Sequence, residues 1–182
     1  IVYRNKAKLN DDIYVTGNLG DSFVGLKILK KKINLNKKLN DYFEKKYYLP
    51  DLQINFTNKL LDFANTSIDI SDGLFADLKK LINKQKLSFK LYLNQIPISK
   101  NLKNLIFLKR LKKISFISRG DDYQILFTAS PSKSRIINKC AKSLGIKITK
   151  IGKICNYSTK SQILDEKLMK IDPKHQGYSH RF

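Results

Sequence analysis

Runs in which apolar and polar residues alternate are separated along this chain by stretches whose apolar residues lie three and four positions apart. Alternation is the period of a β-strand, and three-to-four spacing is that of an amphipathic helix. The alternation predicts five strands, at residues 13–17, 67–70, 87–93, 123–128 and 146–154. The clearest helical stretch begins at Leu74 and ends at Ile82. The chain therefore mixes predicted strands and helices throughout its length.

The most informative stretch is the turn between the second predicted strand and this helix. Two inward-facing isoleucines put Asp69 and Ser71 together on the other face of the strand. Asp72 falls at the turn, where its carboxylate can cap the first free amides of the helix. Because carboxylates suit Mg²⁺ and a helix N-terminus attracts anions, the turn is a candidate site for Mg²⁺ and its phosphates. A capped turn without a ligand is the alternative interpretation.

A second polar cluster precedes the strand predicted at residues 123–128. It reads Ser-Arg-Gly-Asp-Asp and ends with the adjacent carboxylates of Asp121 and Asp122. Two neighbouring carboxylates repel each other and need a cation, a hydrogen-bond donor or solvent. The cluster is therefore either a ligand contact or a solvated acidic turn, and Arg119 could neutralise the pair.

The formal net charge of the 182 residues is +21, carried by 31 Lys and 5 Arg against 15 acidic residues. The lysines are scattered and accompanied by Asn and Ile, a bias typical of an AT-rich genome and not of a nucleic-acid-binding surface. No pattern of an RNA-recognition, KH or zinc-finger module is present. The positive charge should still attract anionic nucleotides and phosphates.

The sequence predicts a soluble, cytoplasmic protein without a membrane partner. No window approaches the roughly 18 consecutive apolar residues of a membrane span, and the start does not resemble a signal peptide. Cys140 and Cys155 are too few for a disulfide framework and lack zinc-site spacing. The chain starts at Ile1 and enters a basic, structured segment at once, so we interpret it as the C-terminal piece of a longer protein.

Six separated motifs, in one order along the chain, resemble those of the thiamine-monophosphate kinase family. They are RNKAKLNDDIYVTG from Arg4, GDSFVGL from Gly20, IDISDGL from Ile68, SRGDDYQILF from Ser118, ITKIGKI from Ile148 and the ending GYSHRF. The central run IDISDGL matches a signature of that family. Together these motifs cover essentially the whole chain, and their combination is much more specific than any one of them.

The resemblance implies an α+β fold of the PurM-like superfamily, which includes aminoimidazole-ribonucleotide synthetase. Residues 1–182 would form the α/β/α-layered C-terminal domain of a longer chain, with only a remnant of the N-terminal ATP- and Mg²⁺-binding domain. Homodimerisation is expected through that missing domain. The family's acidic GxGDDAA motif, which supplies most Mg²⁺ ligands, is found nowhere in these residues. We therefore expect the fragment alone to be inactive.

The reaction implied by the resemblance is ATP-dependent phosphorylation of thiamine monophosphate to thiamine diphosphate. Two polyanions must meet, so Mg²⁺ is the expected cofactor and ATP the co-substrate. Matching the motifs position by position implies Mg²⁺ contacts for Asp69 and Asp72, and ATP contacts for Arg4 and Ser71. The accepting phosphate oxygen is already anionic, so no catalytic base is predicted.

The resemblance also implies which residues hold the thiamine moiety. Asp121 takes the position of the family's substrate-contacting acidic residue. The family's terminal aromatic residue corresponds to Phe182, although the inserted Arg181 leaves Tyr178 as the other candidate. The carboxylate would accept a hydrogen bond from the aminopyrimidine, and the aromatic ring would stack on the substrate ring.

Three other functions stay open at this point. A sister enzyme, such as a selenophosphate synthetase or a hydrogenase-maturation protein, would share the fold, but the Asp121 region and the GY-His ending argue against it. A non-catalytic relative would explain three departures from the family pattern: Arg119 in place of a glycine, Gln53 in place of an arginine, and the inserted Arg181. A basic nucleic-acid-binding module would explain the charge.

Overall fold

A seven-stranded mixed sheet runs through the computed structural model, which describes residues 2–172 and Gly177. Its strands are β1 (Asp12–Thr16), β2 (Thr66–Asp69), β3 (Leu87–Tyr92), β4 (Ile125–Ala129), β5 (Ile148–Asn156), β6 (Gln162–Leu164) and β7 (Lys170–Ile171). The helices are α1 (Asp21–Leu29), α2 (Lys37–Tyr48), α3 (Ile54–Thr57), α4 (Leu74–Leu81), α5 (Lys100–Leu108), α6 (Ile114–Ile117) and α7 (Ser134–Leu144). All five strands predicted from the alternation are present, with each end within two residues of its predicted position.

The strands lie in the order β2-β4-β1-β5-β3-β6-β7. Neighbours are antiparallel except β3 and β6, which are parallel. Along β1, Ile13 is opposite Thr128 of β4 on one side and Gly152 of β5 on the other. Consequently β2, which leads into the candidate site, lies at one edge of the sheet, and three strands separate it from β3.

Helices cover both faces of the sheet, as β1 demonstrates, because its successive residues face opposite sides. Ile13 and Val15 belong to a core that includes the inward face of α4. Tyr14 belongs to a second core with residues of α3 and α7, and its ring stacks on Phe127 with the centroids 5.2 Å apart. The predicted α+β class and the α/β/α layering are therefore confirmed.

A third buried cluster joins α1, α2, α5 and α6, with Val24, Phe43, Leu102 and Phe116 at its centre. Gly25 permits the close contact of α1 with α2, because a Cβ atom there would lie 2.2 Å from the Phe43 carbonyl oxygen. This helical group holds the N-terminus of α1 against the loop that precedes β4.

Two sequence signals for the ends of α7 are also observed. Pro131 begins a short 3₁₀ turn that leads into the helix, and Gly145 ends it in the left-handed region at φ 63°. None of the helices described between residues 2 and 172 is long and apolar enough to cross a bilayer.

Candidate functional site

The turn from β2 into α4 begins where the strand alternation predicts. Ile68 and Ile70 are buried in the core, whereas Asp69 between them is exposed at the end of β2. Ser71 and Asp72 follow, both half-buried. The predicted strand face therefore does bring oxygen-bearing side chains to the surface beside the start of a helix.

The N-cap of α4 is Gly73, which has no side chain to bind the helix amides, so the cap predicted at Asp72 is wrong by one residue. Asp77, inside the helix, holds the turn that precedes it. Oδ2 of Asp77 accepts from the backbone N–H groups of Ser71, Asp72 and Gly73 at 3.0, 2.9 and 3.0 Å. Its side chain is fully buried, and from its place in the helix the carboxylate turns back toward the free amides of the residues just before Leu74. The sequence did contain one sign of this role, because Asp77 is a charged residue on the apolar face of α4.

Asp72 instead forms an ion pair with Lys80, which lies two helical turns further along α4. The Lys80 ammonium also donates to Oδ1 of Asp77 at 2.9 Å. Hydrogen bonds and charge from both carboxylates raise the pKa of Lys80, although partial burial opposes them. Lys80 thus connects Asp77, which holds the turn, to Asp72, which is partly exposed.

The loop at residues 118–124 lies directly on this turn. The N–H of Asp121 donates to the Ser71 carbonyl at 3.0 Å, and the N–H of Tyr123 donates to the Ile70 carbonyl at 2.9 Å. These bonds continue the β2–β4 ladder beyond the ends of both strands. Two acidic segments that are about 50 residues apart in sequence therefore form one surface.

Two glycines allow the loop and the turn to approach this closely. A Cβ atom on Gly120 would lie 1.8 Å from the Ser71 carbonyl oxygen, and one on Gly73 would lie 2.6 Å from the Ser118 carbonyl oxygen. Gly73 also adopts φ 118°, which few other residues adopt. The contact between the two segments therefore depends on both glycines.

Asp121 lies half-buried beside Asp72 on the shared surface. Burial raises its pKa, the negative charge of Asp72 raises it further, and Lys30 acts in the opposite direction. Its φ of 68° is in the left-handed region, an uncommon conformation for a residue with a side chain. Asp72 and Asp121, for which the sequence predicts different ligands, are thus close enough for their negative charges to repel each other.

Asp122 points the other way, into the protein, so the adjacent carboxylates do not form a solvated acidic pair. Its two oxygens accept from the N–H of Gly20, the residue before α1, at 3.0 and 2.9 Å. Burial raises the pKa of Asp122 well above its ordinary value, and these hydrogen bonds only partly oppose the rise. Asp21, the first residue of α1, accepts from Tyr42 and Ser99.

Arg119 does not neutralise the acidic pair in the way the sequence allowed. Its guanidinium carbon lies 5.2 Å from the centre of the Phe23 ring, in a cation–π arrangement with α1. Its side chain thereby anchors the loop to the helical group. This position also explains how an arginine fits where the related motif has a glycine.

Arg4 and Ser71, the two residues predicted to contact ATP, are held at opposite ends of α4. The N–H of Asn5 donates to the carbonyl of Leu81, the last residue of this helix, at 3.0 Å. Ser71 lies before the first turn, and an eight-residue helix is about 12 Å long. The Arg4 side chain is exposed, so the described structure leaves it free to approach a ligand from that end.

The terminal motif reaches this site at Gly177. A Cβ atom on Gly177 would lie 2.3 Å from Cβ of Ala76 and 3.1 Å from the Asp72 carbonyl oxygen. Gly177 therefore packs on the first turn of α4. The predicted substrate contact by Phe182 or Tyr178 lies outside the described residues.

The carboxylates of this surface fit a divalent cation as part of its coordination shell. Asp69, Asp72 and Asp121 supply hard oxygen donors from adjacent segments, the type that Mg²⁺ prefers. Within residues 2–172 and Gly177, however, no three His, Cys, Asp or Glu side chains are arranged as a complete metal site. The remaining ligands would have to be phosphate oxygens, water or groups from elsewhere.

Comparison with known proteins gives one consistent answer. A scan against models of protein families finds no match. Thiamine-monophosphate kinase of Buchnera aphidicola subsp. Schizaphis graminum is 38% identical over 178 residues, which are 97% of this chain and 54% of that protein. The enzyme of Escherichia coli strain K12 is 32% identical over 152 residues, 83% of this chain and 46% of that protein.

This chain is a relative of the thiamine-monophosphate kinases. The solved structure of AaThiL complexed with AMPPCP and TMP matches 98% of this chain and 54% of that chain, with a TM-score of 0.77 and 25% identity. The family resemblance of the six motifs and the PurM-like fold are therefore confirmed. The chain spans about half the length of the curated kinases it matches.

Proposed function

We propose that this chain is the C-terminal part of a thiamine-monophosphate kinase, which transfers the γ-phosphoryl group of ATP to thiamine monophosphate. The observation that carries the proposal is the joined surface of the β2–α4 turn and the 118–124 loop. It presents Asp69, Ser71, Asp72 and Asp121 together, and each lies in a motif that resembles the kinase family. Relatives with the kinase name and a related structure complexed with AMPPCP and TMP support it.

Asp69 and Asp72 would hold Mg²⁺ in this proposal. When bound, the cation would neutralise the phosphates of both substrates, which otherwise repel each other. Asp72 has Lys80 as its partner, so the carboxylate is already directed by its ion pair before a ligand arrives. Most of the other ligands would come from a part of the longer protein outside this chain, as expected from the GxGDDAA motif.

The remaining residues bind and orient the two substrates. Ser71, fixed through its N–H by Asp77, would contact the ATP phosphates, while Arg4 would contact ATP from the far end of α4. Asp121 would accept a hydrogen bond from the aminopyrimidine of thiamine, and Phe182 or Tyr178 would stack on the ring. No side chain needs to remove a proton, because the attacking phosphate oxygen is anionic. Catalysis then consists of positioning and charge neutralisation.

The quaternary structure and domain organisation follow as further parts of the proposal. Residues 1–182 would form a single C-terminal domain with a short remnant of the preceding one. The complete protein would form a homodimer through its N-terminal domain and act in the cytoplasm, without a nucleic-acid or membrane partner. The lysines would serve mainly to solvate the surface and attract anionic substrates.

The proposal is tested by measuring thiamine diphosphate formation from ATP, Mg²⁺ and thiamine monophosphate. The product of the complete open reading frame and the 182-residue chain are assayed side by side, after circular dichroism has verified that both are folded. We expect product from the complete protein only. No product from either folded protein would overturn the proposed reaction, whereas product from the 182-residue chain would overturn the assignment of the missing Mg²⁺ ligands to another region.

A further inference from the structure

A cavity of about 800 Å³ opens at the end of β3, whereas the candidate kinase site lies at the end of β2. Residues 93–98, helix α5, the segment before α6, the start of β5 and the β6–β7 turn form its walls. Strands β4, β1 and β5 lie between β2 and β3, so these two strands are about 19 Å apart at ordinary strand spacing. The cavity shares no residue with the surface that carries Asp69, Asp72 and Asp121.

One part of the cavity is apolar. Ile96 and Pro97 are buried at its base, and Ile106 and Phe107 of α5 form a side wall. The side chain of Phe107 is 81% exposed, so its ring is open to a ligand. Burying a phenyl face of this kind against a flat apolar group is favourable, because it removes apolar surface from water.

The other part of the cavity is cationic. Lys103 of α5, Lys113 before α6 and Lys147 before β5 line it from three different elements. The Lys113 ammonium donates to the Leu93 carbonyl oxygen at 2.7 Å, and that of Lys147 donates to Oδ1 of Asn18 at 2.8 Å. Lys113 also donates to the Asn94 carbonyl oxygen at 3.5 Å. Because an ammonium group has three donors, these described contacts leave Lys113 one donor and Lys147 two for a ligand.

The charges around Lys113 act on it together. Burial and the positive charges of Lys147 and Lys103 together lower the pKa of Lys113 to about 8, against the opposing effect of Glu166. Asp165 and Lys167 also line the cavity from the β6–β7 turn. Four lysines therefore face two carboxylates, which leaves a net positive cavity.

We propose that this cavity binds an organic phosphate, with the phosphate among Lys103, Lys113 and Lys147 and a flat apolar group against Phe107. A phosphate dianion relieves the mutual repulsion of the three ammonium groups and accepts a hydrogen bond from each. The apolar wall adds affinity for a ligand with a ring, an interaction that inorganic phosphate cannot make. The site is separate from the proposed kinase site, and its occupation does not depend on phosphoryl transfer.

Pyridoxal 5′-phosphate is a suitable probe because it is a phosphate ester with a flat ring, and its aldehyde forms an imine with a neighbouring lysine that can then be identified. With the probe's phosphate held by Lys103 and Lys147, the neutral amine of Lys113 adds to the aldehyde carbon, water leaves to form the imine, and borohydride then delivers hydride to the imine carbon. The product of the complete open reading frame is treated with the probe, reduced, and mapped by peptide mass spectrometry. We expect saturable labelling at Lys113 at concentrations that leave the exposed Lys139 and Lys160 unlabelled.

Charge-removing variants and two competitors complete the test. Lys103→Gln and Lys147→Gln should each raise the half-saturating probe concentration about tenfold, equivalent to about 1.4 kcal/mol of binding free energy, whereas Lys139→Gln should not change it. Inorganic pyrophosphate should compete, and pyridoxal without phosphate should label Lys113 weakly. Equal labelling by pyridoxal, labelling spread over exposed lysines, or no response to the two variants would overturn the proposal. Because the readout is labelling, a failed kinase assay would leave its outcome unaffected.

Discussion

The β2–α4 turn and the 118–124 loop each use one aspartate to hold the backbone and present another at the surface. In the turn, the inward carboxylate is Asp77, five residues after Asp72, and it binds amides of its own helix start. In the loop, the inward carboxylate is Asp122, adjacent to Asp121, and it binds the amide before α1, 102 residues away. The first arrangement is local, whereas the second exists only in the folded chain.

The two regions also differ in which residues adopt a positive φ. Helical spacing lets Asp72 and Asp77 diverge without strain, and the positive φ of the turn falls on Gly73. In the loop, the positive φ values fall on Asp121 and Tyr123, which both carry side chains. Such conformations cost about 1–3 kcal/mol each and are found preferentially at functional sites. In both regions the inward carboxylate binds backbone amides and so determines the local shape, whereas Asp72 pairs with Lys80 and Asp121 lies half-buried beside Asp72.

The largest expected effect is on turnover, from Asp72→Asn in the product of the complete open reading frame. Removing the charge of a proposed Mg²⁺ ligand should lower kcat by about 10²–10³-fold, as loss of other charge-stabilising groups does. Its ion pair with Lys80 is partly solvent-exposed, so the unfolding free energy should change by only about 1 kcal/mol. The exposed Asp41→Asn on α2 is the matched control. Near-normal turnover would remove Asp72 from the metal site.

Asp77→Asn should have the opposite profile and mainly affect stability. The amide loses the charge that binds three backbone N–H groups in a fully buried position, so unfolding free energy should fall by about 3 kcal/mol. Urea denaturation of the 182-residue chain measures this change. The exposed Asp69→Asn should remain within about 0.5 kcal/mol of the wild type. An equal loss in both variants would contradict the distinction between inward and outward carboxylates.

Gly120→Ala tests the contact that joins the two segments. Its Cβ atom would overlap the Ser71 carbonyl, so the loop and turn must separate at a cost of about 2–3 kcal/mol. Gly145→Ala is a useful contrast, because its φ of 63° is strained for alanine and no atom lies within 4 Å of the added carbon, whereas Gly120 has overlap without a positive φ. The cost of Gly145→Ala should be about 1 kcal/mol. Thermal denaturation of both variants would show whether overlap or backbone strain dominates.

The smallest expected effect is a change in the pH dependence of stability in Asp122→Asn. Because burial raises the folded-state pKa of Asp122, the folded protein retains a proton that the unfolded chain releases above its ordinary pKa. Its contribution is therefore complete near pH 4 and decreases as pH rises toward the folded-state pKa. Urea denaturation should show the variant improving relative to the wild type between pH 4.5 and pH 7.5. A constant difference would contradict the raised pKa.

Much of the local structure could be predicted because it depends on short-range periodicity. Ile68 and Ile70 fix β2 and its inward face, and the apolar spacing from Leu74 fixes α4. Gly145 predicts the end of α7, because few other residues adopt its φ. The same reasoning assigned the cap of α4 to the nearest aspartate, Asp72, and so missed Asp77. A carboxylate on an apolar helix face was the only local sign of its role.

The sequence by itself determined the strands, the main helices and the family motifs, since each depends on residues close together in the chain. Tertiary structure alone decided that Asp121 lies beside Asp72, that Asp122 points to α1, and that Lys103, Lys113 and Lys147 surround one cavity. Hydrogen-bond partners and charge neighbours of this kind are brought together from distant segments by the sheet order. Periodicity carries no information about that order, because it specifies which face of an element is buried and not which element buries it.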